Sequence, residues 1–202
     1  MNAKIRACSF AALVALAPCA QAATPASPSG AARATGAAPA ANVNAAPTDI
    51  SVFARYAGSW KVELTHSQTP YSKPSSESMT VKNDCWRSEI FYVCDQIIDG
   101  APKALIVFFY NAEEKRFGSF PITARSDAVH PGDVQVDGNT VIFPWAINDN
   151  GKTIYMRIVN VFKSADTMEF RQEYSEDNTQ WIAMATGIEH KVADAKGSTK
   201  SK

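Results

Sequence analysis

The chain has 202 residues, 46% of them hydrophobic, and its 20 basic and 20 acidic side chains cancel to a formal charge of zero. That length and apolar content suffice for one domain with a true core, while the lack of a basic field argues against nucleic acid or an anionic membrane as partner. No stretch reaches the about 18 consecutive apolar residues that a transmembrane helix needs, so no transmembrane segment is expected.

Residues 1–22 read as a secretory signal peptide. Lys4 and Arg6 form the charged region, residues 7–17 a short apolar run, and Ala20-Gln21-Ala22 a small-x-small cleavage site. Cleavage after Ala22 is expected, which places the mature chain in the periplasm or outside the cell. Its charge is then near minus two, because the removed part holds two bases and no acid. Leu16-Ala17-Pro18-Cys19 has the outline of a lipoprotein box, but Pro18 directly before Cys19 disfavours lipidation. Cleavage removes Cys8 and Cys19 and leaves Cys85 and Cys94, and in an oxidising compartment such a pair is expected as a structural disulfide.

Residues 23–47 are almost entirely Ala, Pro, Ser, Gly, Thr and Asn, with Arg33 as the single charge. They cannot bury enough surface to offset their ordering entropy and read as a disordered tether. Residues 193–202 read as a disordered basic tail, so the folded domain is expected over 48–192. At its start Thr48 or Asp49 can cap a short helix that carries Val52, Phe53 and Tyr56 on one side and stops at Gly58.

From Trp60 the period becomes two. Trp60, Val62 and Leu64 alternate with Lys61, Glu63 and Thr65, and Met79 and Val81 resume the rhythm after a Pro/Ser-rich loop. Residues 80–96 then read as a hairpin with Cys85 opposite Cys94. That pairing makes Glu89-Ile90 the two-residue turn, and neither residue favours the positive φ such turns use. Either the loop is wider around 87–90 or the bridge is diagonal.

Further strands are expected over 103–110, 116–125, 134–137, 140–147, 152–163, 167–175 and 180–191. Between them lie Asp99-Gly100, residues 111–114, Asp137-Gly138-Asn139, residues 148–151 and Glu176-Asp177-Asn178, all turn formers. Met168, Phe170, Gln172 and Tyr174 share one face, as do Ile154, Met156, Ile158 and Phe162, and likewise Ile182, Met184, Thr186 and Ile188. About ten strands joined by short turns predict an all-β, closed antiparallel up-and-down barrel, since closure removes both edges. A sandwich would need longer crossing connections.

Gly58-Ser59-Trp60, following a short helix and opening the first strand, resembles the Gly-x-Trp of lipocalin-type calycin barrels. The wider pattern also includes Cys85-Trp86, Val93-Cys94-Asp95, Phe170-Arg171-Gln172-Glu173-Tyr174-Ser175 and Thr179-Gln180-Trp181. It resembles, across 48–192, a family of exported bacterial proteins of unknown function with a calycin-like barrel. The resemblance implies a lipocalin-like fold in which Trp60 packs on a basic side chain near the closing strand, His190 or Lys191. It carries no catalytic or binding residues.

The faces supply a candidate ligand pocket. Trp60, Leu64, Met79, Phe170 and Met184 form apolar walls, and Asn160, Gln172, Tyr174 and Thr186 supply sparse polar groups, the usual make-up of a small-molecule site. A small apolar or amphipathic ligand is the expected occupant. A barrel filled by its own side chains, acting as a non-catalytic envelope interaction module, is the alternative. His66, His130 and His190 show no metal-ligand spacing. His190, on the Ile188 face, is the one candidate for a haem ligand, and otherwise no cofactor is expected. The carboxylates Glu169 and Glu173 alternate toward solvent, and no nucleophile elbow or phosphate loop occurs. An enzyme would have to be a motif-less isomerase or decarboxylase.

Overall fold

A computed structural model describes residues 49–124 and 131–193. The expected signal peptide and tether, Thr48, Arg125, His130 and the tail from residue 194 lie outside the described residues. The chain begins in a 3-10 helix, Ile50–Tyr56, capped by Asp49, whose side chain accepts from the Ser51 N–H at 2.9 Å. Ile50, Phe53 and Tyr56 are its buried residues. Gly58 then turns the chain at φ 108° into the first strand, a conformation that glycine adopts at no steric cost.

Ten strands follow: β1 Gly58–His66, β2 Ser75–Arg87, β3 Phe91–Ile98, β4 Ala101–Asn111, β5 Arg116–Thr123, β6 Gly132–Asp137, β7 Thr140–Asp149, β8 Lys152–Phe162, β9 Thr167–Ser175 and β10 Ile182–Val192. Each pairs antiparallel with its sequence neighbour, and β1 closes on β10. The result is the expected closed up-and-down barrel with one short helix. The turn residues explain the tight reversals. Asp99-Gly100 (φ 49° and 79°) and Asn150-Gly151 (φ 52° and 86°) take two successive left-handed residues, the geometry whose twist matches flanking strands.

The β2–β3 hairpin resolves the alternatives for its turn. Cys85 pairs directly with Cys94, at a Cα separation of 4.1 Å, and the two are joined in a disulfide. The ladder runs on to Arg87 opposite Tyr92, and the Ser88 N–H donates to the Phe91 carbonyl at 2.9 Å. Glu89 and Ile90 make the turn without positive φ. The disulfide faces the interior, where Cys94 is wholly buried.

The helix lies across one end of the barrel. Phe53 stacks on Phe108 at 4.1 Å and meets Phe117 edge-on, while Tyr56 meets Phe162 edge-on at 5.0 Å. Arg55 donates to the Gly138 carbonyl in the β6–β7 turn, and Arg87 of the β2–β3 hairpin reaches Asp49 at 3.5 Å. Aromatic rings thus close this end. At the far end Tyr71, from the β1–β2 connection, packs edge-on against Tyr174, beside Ile154, Met156 and Met184.

Strand β6 is short and changes partner midway. Its residues Gly132–Val134 pair with β5 and its residues Gln135–Asp137 with β7. Among the described residues, no strand lies against residues 120–123 of β5 or 143–149 of β7 on that side. Each of these edges contains a proline, Pro121 and Pro144, the residue that cannot donate to a ladder and belongs on edges.

The ladder shifts register in two described places, between β3 and β4 at Gln96/Ile97 and in β10, and the second departs from the expected alternation of the candidate site residues. A bulge between Ala183 and Ala185 shifts the register, so Ala185, Gly187 and Glu189 face inward while Thr186, Ile188 and His190 face out. A β-bulge inserts one unpaired residue and reverses every later side chain.

Candidate functional site

The site is the barrel lumen just above the aromatic plug. Tyr56 reaches into it from the helix and links opposite walls. Its carbonyl accepts from Trp60 Nε1 on β1 at 3.0 Å and from Asn83 Nδ2 on β2 at 3.2 Å. Its hydroxyl meets Asn160 Nδ2 on β8 at 3.0 Å. Around this ring the strands turn an unusual number of polar side chains inward: Asn83, Gln96, Ser119, Asn160 and Glu189 are all at most 2% exposed.

Register explains the grouping. Asn83 lies opposite Gln96, Ser119 opposite Phe108, Asn160 opposite Phe170, and Glu189 between Val62 and Met168. Several of their polar atoms have no protein partner: Asn83 Oδ1, both amide atoms of Gln96, Ser119 Oγ, Asn160 Oδ1 and Glu189 Oε1. Buried polar groups in folded proteins are paired with protein, water or ligand, because an unpaired one costs about 1–3 kcal/mol. A belt of five such residues is suited to holding polar guests.

Electrostatics sharpen this picture. Desolvation pushes the Glu189 carboxyl well above its ordinary range, with no opposing charge to hold it down. Burial likewise drives the Tyr56 hydroxyl far upward, opposed by the Asn160 hydrogen bond and reinforced by Glu189. Both shifts favour the neutral forms, in which each group presents an O–H donor as well as an acceptor.

Most of the residues expected to line a pocket face this lumen. Trp60, Leu64, Asn160, Phe170, Tyr174 and Met184 are buried in it, and Met79 and Gln172 point inward but keep partial exposure, as do Trp145 and Ile147 toward the far end. Trp145 and Ile147 lie in the stretch of β7 that no described strand covers on one side. Thr186 is different. The bulge places it on the outer face, in an open groove of about 490 Å³ shared with Glu63, Thr65, Glu169, Arg171 and Ile188.

The same bulge turns His190 outward, where its Nδ1 lies 3.3 Å from Thr167 Oγ1, so the haem reading loses its ligand. His66 faces inward near Glu77 at 3.6 Å, and among the described residues no group of three or more potential metal ligands assembles. Glu169 and Glu173 do lie on the outer face. Glu173 is held by Arg157 at 2.6 Å and Arg171 at 3.1 Å, with Arg157 stacked on Trp181 at 3.9 Å, an ion-pair network rather than an acid/base pair.

Sequence reasoning missed Tyr56, Asn83, Gln96, Ser119 and Glu189. For Asn83 and Gln96 the signal was available, since each falls in phase with inward residues, Val81 and Cys94. For Glu189 the signal was Gly187, because a glycine inside a strand marks a bulge or a close backbone approach.

Trp60 packs as the lipocalin resemblance implies: Lys191 places its ammonium 5.1 Å from the ring centroid. No family model and no curated protein matches the chain. Among solved structures the chain is similar to the crystal structure of Rv2717c from M. tuberculosis, at 10% identity and a TM-score of 0.41. That alignment covers 71% of this chain and 97% of the other.

Proposed function

We propose that this protein is an exported, calycin-like barrel that binds a small amphipathic ligand in its lumen. The observation that carries the reading is the belt of inward polar atoms without protein partners, set between an aromatic floor and a half-exposed apolar upper wall. A polar head would meet Asn83, Gln96, Asn160 and Glu189, and an apolar portion would lie toward Met79, Trp145 and Met184. The signal-like N-terminus supports export, and so does the disulfide, a bond that persists in oxidising compartments. Native mass spectrometry of disulfide-intact protein, purified from its own envelope without detergent, tests the reading. A bound small molecule supports it, and a lumen holding only water in both that measurement and a side-chain-resolution map refutes it.

A second reading, an interaction module, is favoured by the outer face of β2–β5. There Trp86 is 47% exposed and Ile90 68%, beside Phe91, Ile122 and the stacked pair Phe109 and Phe120. Contiguous exposed apolar surface of this kind marks interaction sites. Envelope pull-downs with wild type, a Trp86→Ser/Ile90→Ser variant and a variant lacking residues 23–47 separate the readings. Partner capture that survives both changes counts against the second.

A further inference from the structure

The unpartnered atoms of the lumen are unequal in kind, and the inequality selects a ligand chemistry. Asn83 has its orientation fixed, because the Tyr56 carbonyl only accepts and must receive the amide nitrogen; its Oδ1 is thus a free acceptor. Asn160 spends its nitrogen on the Tyr56 hydroxyl and also leaves Oδ1 free. Gln96 leaves one oxygen and one nitrogen, and Glu189 leaves Oε1. Acceptor oxygens therefore outnumber amide donors around the bore. An incoming head group that donates hydrogen bonds satisfies this set, and one that only accepts leaves most of it unpaired.

The charge environment points the same way. Glu189 is flanked by Val62 on β1 and Met168 on β9, with Tyr56 approaching from the helix. The nearby cations are engaged elsewhere: Lys191, two residues along the same strand, sits over Trp60, and Arg55 donates to Val52 and Gly138 carbonyls and covers Phe162. Among the described residues Glu189 has no ion-pair partner. It is a buried carboxyl whose Oε1 has neither a hydrogen-bond donor nor a cation beside it among the described residues.

We propose that the ligand carries a basic, hydrogen-bond-donating nitrogen at its head, an alkylamine in the simplest case, and that Glu189 receives it as an ion pair. The proposal rests on the ligand-binding reading above. An alkylammonium ion brings three N–H donors and a positive charge to a site rich in acceptors. Its arrival favours the carboxylate form of Glu189, so a proton held there leaves for solvent. Charge-assisted hydrogen bonds of this type are roughly twice as strong as neutral ones.

The test uses the full disulfide-bonded chain and three probes of equal length: octylamine, octanol and octanoic acid. Calorimetry at neutral pH in buffers of different ionisation enthalpy reads affinity and proton exchange together. Octylamine is expected to bind about tenfold more tightly than either other probe, with proton release that falls as the pH is raised. Glu189→Gln is expected to abolish that preference, bringing octylamine to the affinity of octanol measured on the same variant. Octanol or octanoate binding as well as the amine, or an amine preference that persists in Glu189→Gln, overturns the head-group assignment while leaving the lumen reading intact. Failure of all three probes, with a lumen empty of native ligand, overturns both. Should Glu189→Gln not fold, the wild-type protein decides: octylamine binding no tighter than octanol refutes the proposal.

Discussion

Trp60 and Lys191 stand opposite each other in the β1–β10 ladder, and the lysine ammonium lies 5.1 Å from the indole centroid. This contact sits where the last strand meets the first, so it fastens the closure of the cylinder. Gly58 makes room for it, since a Cβ there would fall 2.9 Å from Lys191 Cε and its φ is 108°. Lys191→Ala should cost about 0.5–1 kcal/mol, the value of a partly exposed cation–π contact. Lys191→Met, which keeps a chain over the ring, should cost less. Chemical denaturation monitored by tryptophan fluorescence measures both.

The disulfide closes a short loop, and its removal by Cys85→Ser/Cys94→Ser should lower stability by roughly 2.5 kcal/mol on the chain-entropy account. Native protein should show no free thiol among Cys85 and Cys94 on titration, and the fall in thermal midpoint of the double variant checks the magnitude.

Gly187→Ala should destabilise by about 1–3 kcal/mol, the range for overpacking a core. An added Cβ collides with Leu64 Cδ2 and lies 2.5 Å from the Glu63 carbonyl oxygen. Because one of those neighbours is backbone, adding Leu64→Ala should not restore stability, and a thermal melt of the double variant reads this directly.

The pH dependence has two arms of opposite sign. Glu189 has a folded-state pKa raised above 4.5, its value in an unfolded chain. The stability it contributes is fully present below that value and is lost as pH rises toward the folded pKa. Asp177 behaves in the reverse way. Its carboxylate accepts from the Gln180 and Thr179 N–H groups and from Ser175, which lowers its pKa, so its contribution is present above 3.8 and is lost in acid. Glu189→Gln should therefore gain on wild type as pH rises above about 4.5, and Asp177→Ala should approach wild type as pH falls below about 3.8. Urea titrations across pH 3–8 test both signs, and a flat difference for Glu189→Gln would contradict the buried carboxyl.

The barrel was legible in the sequence because its signals are local. Asp99-Gly100 and Asn148 to Gly151 mark reversals by their tolerance of positive φ, and Met168, Phe170 and Tyr174 mark a buried face by simple alternation. The lumen was legible only in part. Its lining follows from the parity of each strand, and one inserted residue at Ala183–Ala185 changes that parity for everything after it. That single shift exchanged Ile188 and His190 for Gly187 and Glu189, and with them an imagined haem ligand for a buried carboxyl. The sequence places Tyr56 on one side of the helix with Val52 and Phe53, but its reach to Asn160 spans 104 positions, which no local pattern encodes.

The handover of β6 from β5 to β7 bears on how the cylinder deforms. A tube whose wall is stitched along every seam resists widening, because each increment strains a full row of hydrogen bonds. Here the row is interrupted beside Pro121 and Pro144, so among the described residues this flank has fewer bonds to strain than the other eight seams. For the proposed ligand the wall itself, and not the mouth alone, would be the way to the belt of polar groups. The two prolines keep the same flank from recruiting a foreign strand.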